Sequence, residues 1–129
     1  EQNGLMDYCL EEGIKLIAYS PLAMGVLTGK YTATNPLRGT RGARYGREYL
    51  AGLQPMLNTM ARIGNEHDGK TTAQVALNWV VQKQALPIPG AKDAQQAEQN
   101  LGAVGWKLTD DDIAMLDEMS LKVQKTGIF

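Results

Sequence analysis

The sequence predicts an α/β protein with a parallel sheet. Two short apolar runs, residues 14–19 and 86–89, have the length and composition of buried parallel strands. Segments with helical spacing of apolar residues lie before, between and after them, and this alternation favours parallel pairing. Two strands are too few to shield both faces of such a sheet. We therefore expect residues 1–129 to be part of one domain of a longer protein.

The first third of the chain predicts a helix, a strand and a long loop. The helix is expected from a cap at Asn3 to about Glu12, where Gly13 supplies a stop. The strand follows at 14–19. The Gly-rich, polar stretch from about 25 to 46 is too long for an ordinary connection, so we expect it to be functional or mobile.

Four further helices are predicted. The longest runs from 48 to about 68, the next starts at Thr71 or Thr72, and another spans 94 to about 104. The last is capped by Thr109. The residues expected to face the core share helical spacing and are Leu50, Leu53, Leu57, Met60, Ile63, Ala73, Ala76, Leu77, Val80, Ile113, Leu116 and either Met119 or Ser120.

The composition argues against several classes of function. A formal net charge of −1 creates no general attraction to nucleic acid or membrane surfaces, and no apolar run approaches the ~18 residues of a membrane span. Cys9, the single cysteine, is expected to be a buried thiol. His67, the single histidine, is expected to be structural, and no cluster has metal-ligand spacing. The expected location is the cytoplasm, or an organelle stroma if a transit peptide was removed.

The first candidate site begins where the first strand ends. Residues 19–31 read Tyr-Ser-Pro-Leu-Ala-Met-Gly-Val-Leu-Thr-Gly-Lys-Tyr. In parallel α/β proteins, ligands bind at the carboxyl ends of the strands. The plainer interpretation is a strand exit whose turn is shaped by Pro21 and Gly25.

The second candidate site follows the second strand. Residues 86–100 read as a strand, a Gly turn and a helix start with exposed backbone N–H groups, which together favour an anion. Lys92 adds positive charge there. A phosphate-bearing ligand is therefore predicted, although a solvated surface lysine is the commoner fate of such a residue.

These two strings together resemble the aldo-keto reductase family over about residues 3–119. Within the family, the strings Gly-Thr-Arg-Gly-Ala-Arg and Pro-Ile-Pro-Gly-Ala look most like plant and cyanobacterial members, pyridoxal reductases among them. The resemblance implies the C-terminal third of a TIM (β/α)₈ barrel, with its last two strands and their helices. A complete barrel takes about 250 residues.

The resemblance also implies residue roles. Tyr19 would lie against the nicotinamide ring, the segment from Ser20 would wrap the pyrophosphate, and Lys30 would pair with phosphate charge. Gly90 and Lys92 would approach the ribose 2′-phosphate of NADP. The implied cofactor-binding residues are Tyr19, Ser20, Pro21, Leu22, Gly25, Lys30, Arg41, Arg44, Gly90, Lys92, Gln96 and Asn100.

The second loop departs from the usual family pattern. Classical members place Lys-Ser at Gly90 and Ala91, and Arg at Gln96, while Gln99 stands where many have Glu. Gln96 and Asn100 match family residues that contact the phosphate region and the adenine. We therefore expect any preference for NADP to depend on Lys92, since one lysine can act as a point-charge phosphate binder.

A run of arginines interleaved with glycines allows three interpretations. Arg38, Arg41, Arg44 and Arg47 recur every third residue. One of them, Arg41 or Arg44, would close over the pyrophosphate. The run could instead be a solvated loop, or an RNA-binding tract, which ranks last.

The function implied is reduction of a small-molecule aldehyde or ketone by an NADP(H)-dependent oxidoreductase, to which this chain contributes cofactor binding. The family's catalytic Asp, Tyr, Lys and His match nothing here, so we carry over no catalytic residue and expect the chain alone to be inactive. Two alternatives stay open. One is a non-catalytic nucleotide-binding module like the potassium-channel beta subunits, and the other is a structural or interaction domain.

Overall fold

The computed structural model describes residues 4–39, 42 and 45–124. In chain order, the elements are α1 (Leu5–Glu11), β1 (Ile17–Tyr19), a 3₁₀ helix (Ala23–Thr28), α2 (Arg47–Glu66), α3 (Thr72–Gln82), β2 (Leu86–Ile88), α4 (Ala94–Leu101) and α5 (Asp110–Gln124).

The two strands pair in parallel, as predicted. Ile17 lies opposite Leu86, and Tyr19 lies opposite Ile88. Both strands alternate, so that their middle residues are half-buried while these four side chains are exposed. The sheet is therefore covered on one face only by the described helices, in line with the expectation that two strands are too few to shield both faces.

The core lies between α2, α3 and α5. The predicted stripe on α2 is buried throughout, and Leu116 of α5 packs into the same cluster. Full burial of one such side chain contributes roughly 1.5–3 kcal/mol. This cluster therefore supplies much of the stability of the helical layer that supports the sheet.

Two predicted helix boundaries are confirmed by their capping geometry. Gly13 has φ 66°, and the N–H groups of Gly13 and Ile14 donate to the carbonyls of Leu10 and Cys9, which closes the end of α1. At α3, Thr71 caps the helix and Gln74 returns the bond to its backbone. The predicted cap Asn3 lies outside the described residues.

Other boundaries differ from the prediction. The long loop is not irregular throughout, because a 3₁₀ segment that is kinked at Met24 and Gly25 extends to Thr28. α4 ends at Leu101, before the predicted residue 104, and the next residue, Gly102, passes close to α3. A Cβ atom at Gly102 would lie 2.2 Å from Nε2 of Gln74.

Three smaller expectations can be compared with the structure. Cys9 is buried, as predicted, and His67 lies at the end of α2, also as predicted. Among the described residues, we find no helix whose length and apolar character would let it span a membrane.

Candidate functional site

Two loops leave the sheet side by side. Because β1 and β2 are parallel and Tyr19 pairs with Ile88, the chain exits both strands at the same edge. We call residues 20–30 the β1 loop and residues 89–93 the β2 loop. The structure thus brings the two candidate strings of the sequence to one edge of the sheet.

The β1 loop has an unusual backbone. Ser20, Ala23 and Met24 have φ values of 51°, 48° and 56°, and Gly25 has φ 94°. Left-handed conformations are disfavoured for residues that carry a Cβ, and strain of this kind concentrates at ligand sites. Gly25 is the one of the four that adopts its conformation without a steric cost.

Local bonds and one buried side chain hold this strained turn. The N–H of Ala23 donates to the carbonyl of Ser20 at 2.8 Å, and the N–H of Gly25 donates to that of Leu22 at 2.9 Å. Val26, which follows directly, is fully buried in the core. The β1 loop is therefore anchored to the helical layer beneath it.

Thr28 connects the turn to Lys30. Its hydroxyl donates to the carbonyl of Gly25 at 2.6 Å and accepts the N–H of Lys30 at 3.3 Å. The amide of Asn35 donates to the carbonyl of Lys30 at 3.2 Å. The ammonium of Lys30 lies 5.9 Å from the centre of the Tyr31 ring, and the residue is exposed.

The β2 loop is closed by side chains of α4. Asp93 caps the helix, and its Oδ1 accepts the N–H of Gln96 at 2.8 Å. Oε1 of Gln96 accepts the N–H of Lys92 at 3.0 Å. Nδ2 of Asn100 donates to the carbonyl of Gly90 at 3.3 Å. Two backbone groups of the β2 loop and one of the first turn of α4 are therefore bonded within the chain.

This arrangement differs from the open helix start that the sequence suggested. The N–H groups of Lys92 and Gln96 are already engaged, whereas those of Ala94 and Gln95, in the first turn, have no acceptor inside a helix. Gln96 and Asn100 bond to the backbone of their own loop. The exposed side chain of Lys92 is the cationic group that the β2 loop presents.

The donor set suits a dinucleotide. The two loops start side by side and carry the exposed side chains of Lys30 and Lys92 and the half-buried hydroxyl of Ser20. Two cations and a hydroxyl donor are groups that bind phosphate. Tyr19 is 84% exposed and offers a free ring face beside them. The predicted residues Arg41 and Arg44 lie outside the described residues.

Sequence reasoning missed two residues of this site. Thr28 holds the β1 loop through its hydroxyl, and no spacing rule singles it out. Asp93 could have been found, because an Asp followed three residues later by Gln is typical of a helix start.

Another polar cluster, around His67, lies away from these loops and is structural. Nε2 of His67, at the end of α2, is 3.4 Å from Oδ2 of Asp112, and its ring packs at a tilt against Trp106 with centroids 4.9 Å apart. Within the described part of the chain, no three His, Cys, Asp or Glu side chains group as metal ligands. The cluster therefore joins α2 to α5 and is separate from the two loops.

Several known proteins are similar to this chain. The aldo/keto reductase family matches residues 1–121. The chain is 43% identical to the chloroplastic pyridoxal reductase of Arabidopsis thaliana over 128 residues, which are 99% of this chain and 34% of that protein. It is 30% identical to L-glyceraldehyde 3-phosphate reductase of Escherichia coli O157:H7, covering 92% of this chain and 37% of that protein.

Solved structures agree in fold. A thermostable aldo-keto reductase crystallised with the inhibitor epalrestat superposes with a TM-score of 0.65 at 25% identity, covering 92% of this chain and 34% of that one. An aldo-keto reductase of Bombyx mori, solved in complex with NADP, gives a TM-score of 0.61 at 23% identity, over 92% and 33% of the two chains.

The similarity covers nearly all of this chain but only part of each relative. The chain spans about a third of the length of the relatives it matches. The similarity nevertheless extends through both strands, both candidate loops and most of α5. On these grounds, the chain belongs to the aldo/keto reductase family.

Proposed function

We propose that the intact protein is an NADP(H)-dependent oxidoreductase that reduces aldehydes or ketones, and that this chain forms the cofactor clamp. When bound, the nicotinamide cofactor supplies the hydride. The chain binds and orients it, which is the usual division of labour between protein and cofactor. No residue of this chain is assigned a catalytic role.

The observation that carries this proposal is the register of the sheet. Tyr19 pairs with Ile88, so the β1 and β2 loops begin next to each other. Two loops that start at one edge can contact successive parts of one extended ligand. Ligands of parallel α/β proteins bind at this edge.

Each loop is suited to a different end of the dinucleotide. Tyr19 would cover the nicotinamide, and residues 20–22 with Gly25 and Lys30 would hold the pyrophosphate. Lys92 would pair with the 2′-phosphate, while Gly90 leaves room for close approach. Gln96 and Asn100 would keep the β2 loop in shape, which is the part their observed bonds support. Arg41 or Arg44 would close over the pyrophosphate.

The proposed architecture is the last third of a (β/α)₈ barrel. The exposed face of the sheet supports this, because Ile17, Tyr19, Leu86 and Ile88 would point into a barrel interior lined by further strands. Apolar side chains on one face and helices on the other are what a barrel wall requires.

Pyridoxal is the first aldehyde to test. The Arabidopsis relative is named a pyridoxal reductase, and it is 43% identical to this chain. That relative is also named chloroplastic, which supports a stroma as one of the two compartments proposed here, the other being the cytoplasm.

The experiment follows NADPH absorbance with the intact protein and pyridoxal, with a ketone in parallel. Consumption of NADPH that depends on both protein and carbonyl is the expected result. Binding of NADPH with no turnover of any carbonyl would favour a non-catalytic nucleotide-binding module. Failure to bind either nicotinamide cofactor would contradict the proposed clamp and leave a structural or interaction domain.

A further inference from the structure

We propose that Asp93 limits the preference of this protein for the 2′-phosphorylated cofactor by fixing a negative charge beside Lys92. This role rests on the proposed function, in which the β2 loop faces the adenosine end of the cofactor. It makes Asp93 a residue that determines specificity, and not only a helix cap.

The carboxylate of Asp93 is held in place. Asp93 has extended backbone geometry, with φ −149° and ψ 170°, and its Oδ1 accepts the N–H of Gln96 at 2.8 Å. This bond keeps the charge at the start of α4 instead of leaving it to rotate in solvent. The residue is exposed, so a ligand bound at the loop can approach its carboxylate.

Asp93 offsets the charge of its neighbour. Within residues 89–97, Lys92 and Asp93 are the only charged residues, so the formal charge of this segment is zero. The Lys92 N–H is moreover engaged by Gln96. A phosphate at this loop would therefore meet one lysine, one opposing carboxylate and fewer free backbone donors than an uncapped helix start offers.

The effect must fall on one cofactor more than on the other. A phosphate monoester carries about −1.5 to −2 charges at neutral pH, whereas the ribose hydroxyl that replaces it in NAD is neutral. Repulsion from Asp93 therefore weakens the binding of NADP and leaves the binding of NAD nearly unaffected. The pyrophosphate, which both cofactors share, would bind to the β1 loop.

The test measures dissociation constants of NADP⁺ and NAD⁺ for the intact protein by calorimetry, at low and at high salt. Asp93→Asn keeps an oxygen that can accept the Gln96 N–H and removes the charge. We expect NADP⁺ to bind about fivefold more tightly to this variant at low salt, and NAD⁺ to change less than about twofold. The gain should shrink at high salt because the interaction is exposed.

Two further variants isolate the charge effect. Asp110→Asn changes the net charge equally but lies in the first turn of α5, and it should leave both constants unchanged. Asp93→Ser retains a capping oxygen without charge and should reproduce the gain, which guards against a folding defect peculiar to one variant.

The possible failures can be told apart. If wild-type protein binds both cofactors but neither Asp93 variant changes the ratio of the two dissociation constants, the proposed role of Asp93 is wrong. The proposed function is then unaffected. An equal change for both cofactors also overturns the role of Asp93. If wild-type protein binds neither cofactor, the proposed function fails, and the role of Asp93 fails with it.

Discussion

Asp112 joins the beginning of α5 to the end of α2. Its Oδ2 accepts the N–H and the hydroxyl of Thr109 at 3.1 Å and 2.7 Å, and it lies 3.4 Å from Nε2 of His67. Burial raises the pKa of the carboxyl, but the hydrogen bonds from Thr109 and His67 outweigh it, so the pKa of Asp112 is lower than its ordinary value.

Because of this lowered pKa, part of the free energy of unfolding depends on pH. Because the folded pKa lies below the unfolded value of about 3.9, the contribution is present above that pH and is lost as pH falls through the folded pKa. Asp112→Asn should remove it. We expect the free energy of unfolding to fall less steeply for the variant than for wild type between about pH 5 and pH 3, measured by urea denaturation of the intact protein.

Asp110→Asn is the matched control, since Asp110 is an exposed carboxylate of the same turn. It should keep the steep pH dependence of wild type. If Asp112→Asn shows that same dependence, the ionised carboxylate of Asp112 does not stabilise the fold.

Lys92 and Gln96 show how far single residues can be predicted. Lys92 was expected as an exposed cation next to a helix start, and it is exposed. Gln96 was expected from the family resemblance to face the ligand, yet its amide oxygen bonds to the backbone of Lys92. That bond depends on the turn made at Asp93, which residue type alone does not determine. Their contacts with a cofactor stay predictions.

At the scale of elements, α3 holds the helix that carries the β2 loop. Asn78 is buried, and its Nδ2 donates to the carbonyls of Ala103 and Trp106 at 2.8 Å and 3.0 Å. Gln74 donates to the carbonyl of Gln99 at 2.9 Å. α3 therefore fixes the end of α4 and the segment after it.

Removing the Asn78 amide should be costly. Asn78→Ala leaves two carbonyls without this donor, and we expect the free energy of unfolding to drop by about 1–3 kcal/mol. Urea denaturation of the intact protein measures it. Asn58→Ala, an exposed asparagine on α2, should change stability by less than about 0.5 kcal/mol.

Equal costs for the two asparagine variants would contradict the structural role of Asn78. A large cost for Asn78→Ala alone would support it. Loss of cofactor affinity in the same variant would further indicate that α3 positions the β2 loop.

Helix ends were predictable where short-range chemistry decides them. Thr71, Thr109 and Gly13 act at the positions that capping rules give. The buried residues of α3 were harder to predict, because four consecutive residues, 75–78, are buried instead of one stripe. A helix that contacts neighbours on several sides loses its simple period, and only the packed structure shows which sides those are.

At the scale of the whole molecule, the sheet presents an apolar face. Ile17 is 59% exposed, and Leu86 and Ile88 are about half exposed. The sequence predicted both strands and their parallel pairing. It could not locate their covered faces, because burial depends on what else the sheet contacts.

This face predicts the behaviour of the 129-residue chain when it is produced alone. We expect it to associate as its concentration rises, because exposed apolar strands and open sheet edges pair with other copies. Size-exclusion chromatography with light scattering over a range of concentrations measures this. Replacing both Ile17 and Ile88 with Thr should reduce association, whereas Val104→Thr, an exposed site away from the sheet, should not.

A monomer at every concentration, with a sharp cooperative melt, would contradict this expectation. It would mean that the described residues form a self-sufficient unit and that the sheet needs no further cover.

If the β1 and β2 loops clamp one nicotinamide dinucleotide, lysines of the two loops should affect NADPH and NADH binding differently. The intact protein and its Lys30→Ala, Lys92→Ala and Lys107→Ala variants are titrated with NADPH and NADH at fixed ionic strength. Lys107 is an exposed lysine outside both loops and serves as the control.

We expect Lys92→Ala to weaken NADPH binding by about tenfold and to leave NADH nearly unchanged, because only NADPH carries the 2′-phosphate. Lys30→Ala should weaken both, since both share the pyrophosphate, and Lys107→Ala should weaken neither. Equal losses of NADH and NADPH in Lys92→Ala, or no binding of either cofactor by wild-type protein, would contradict the account.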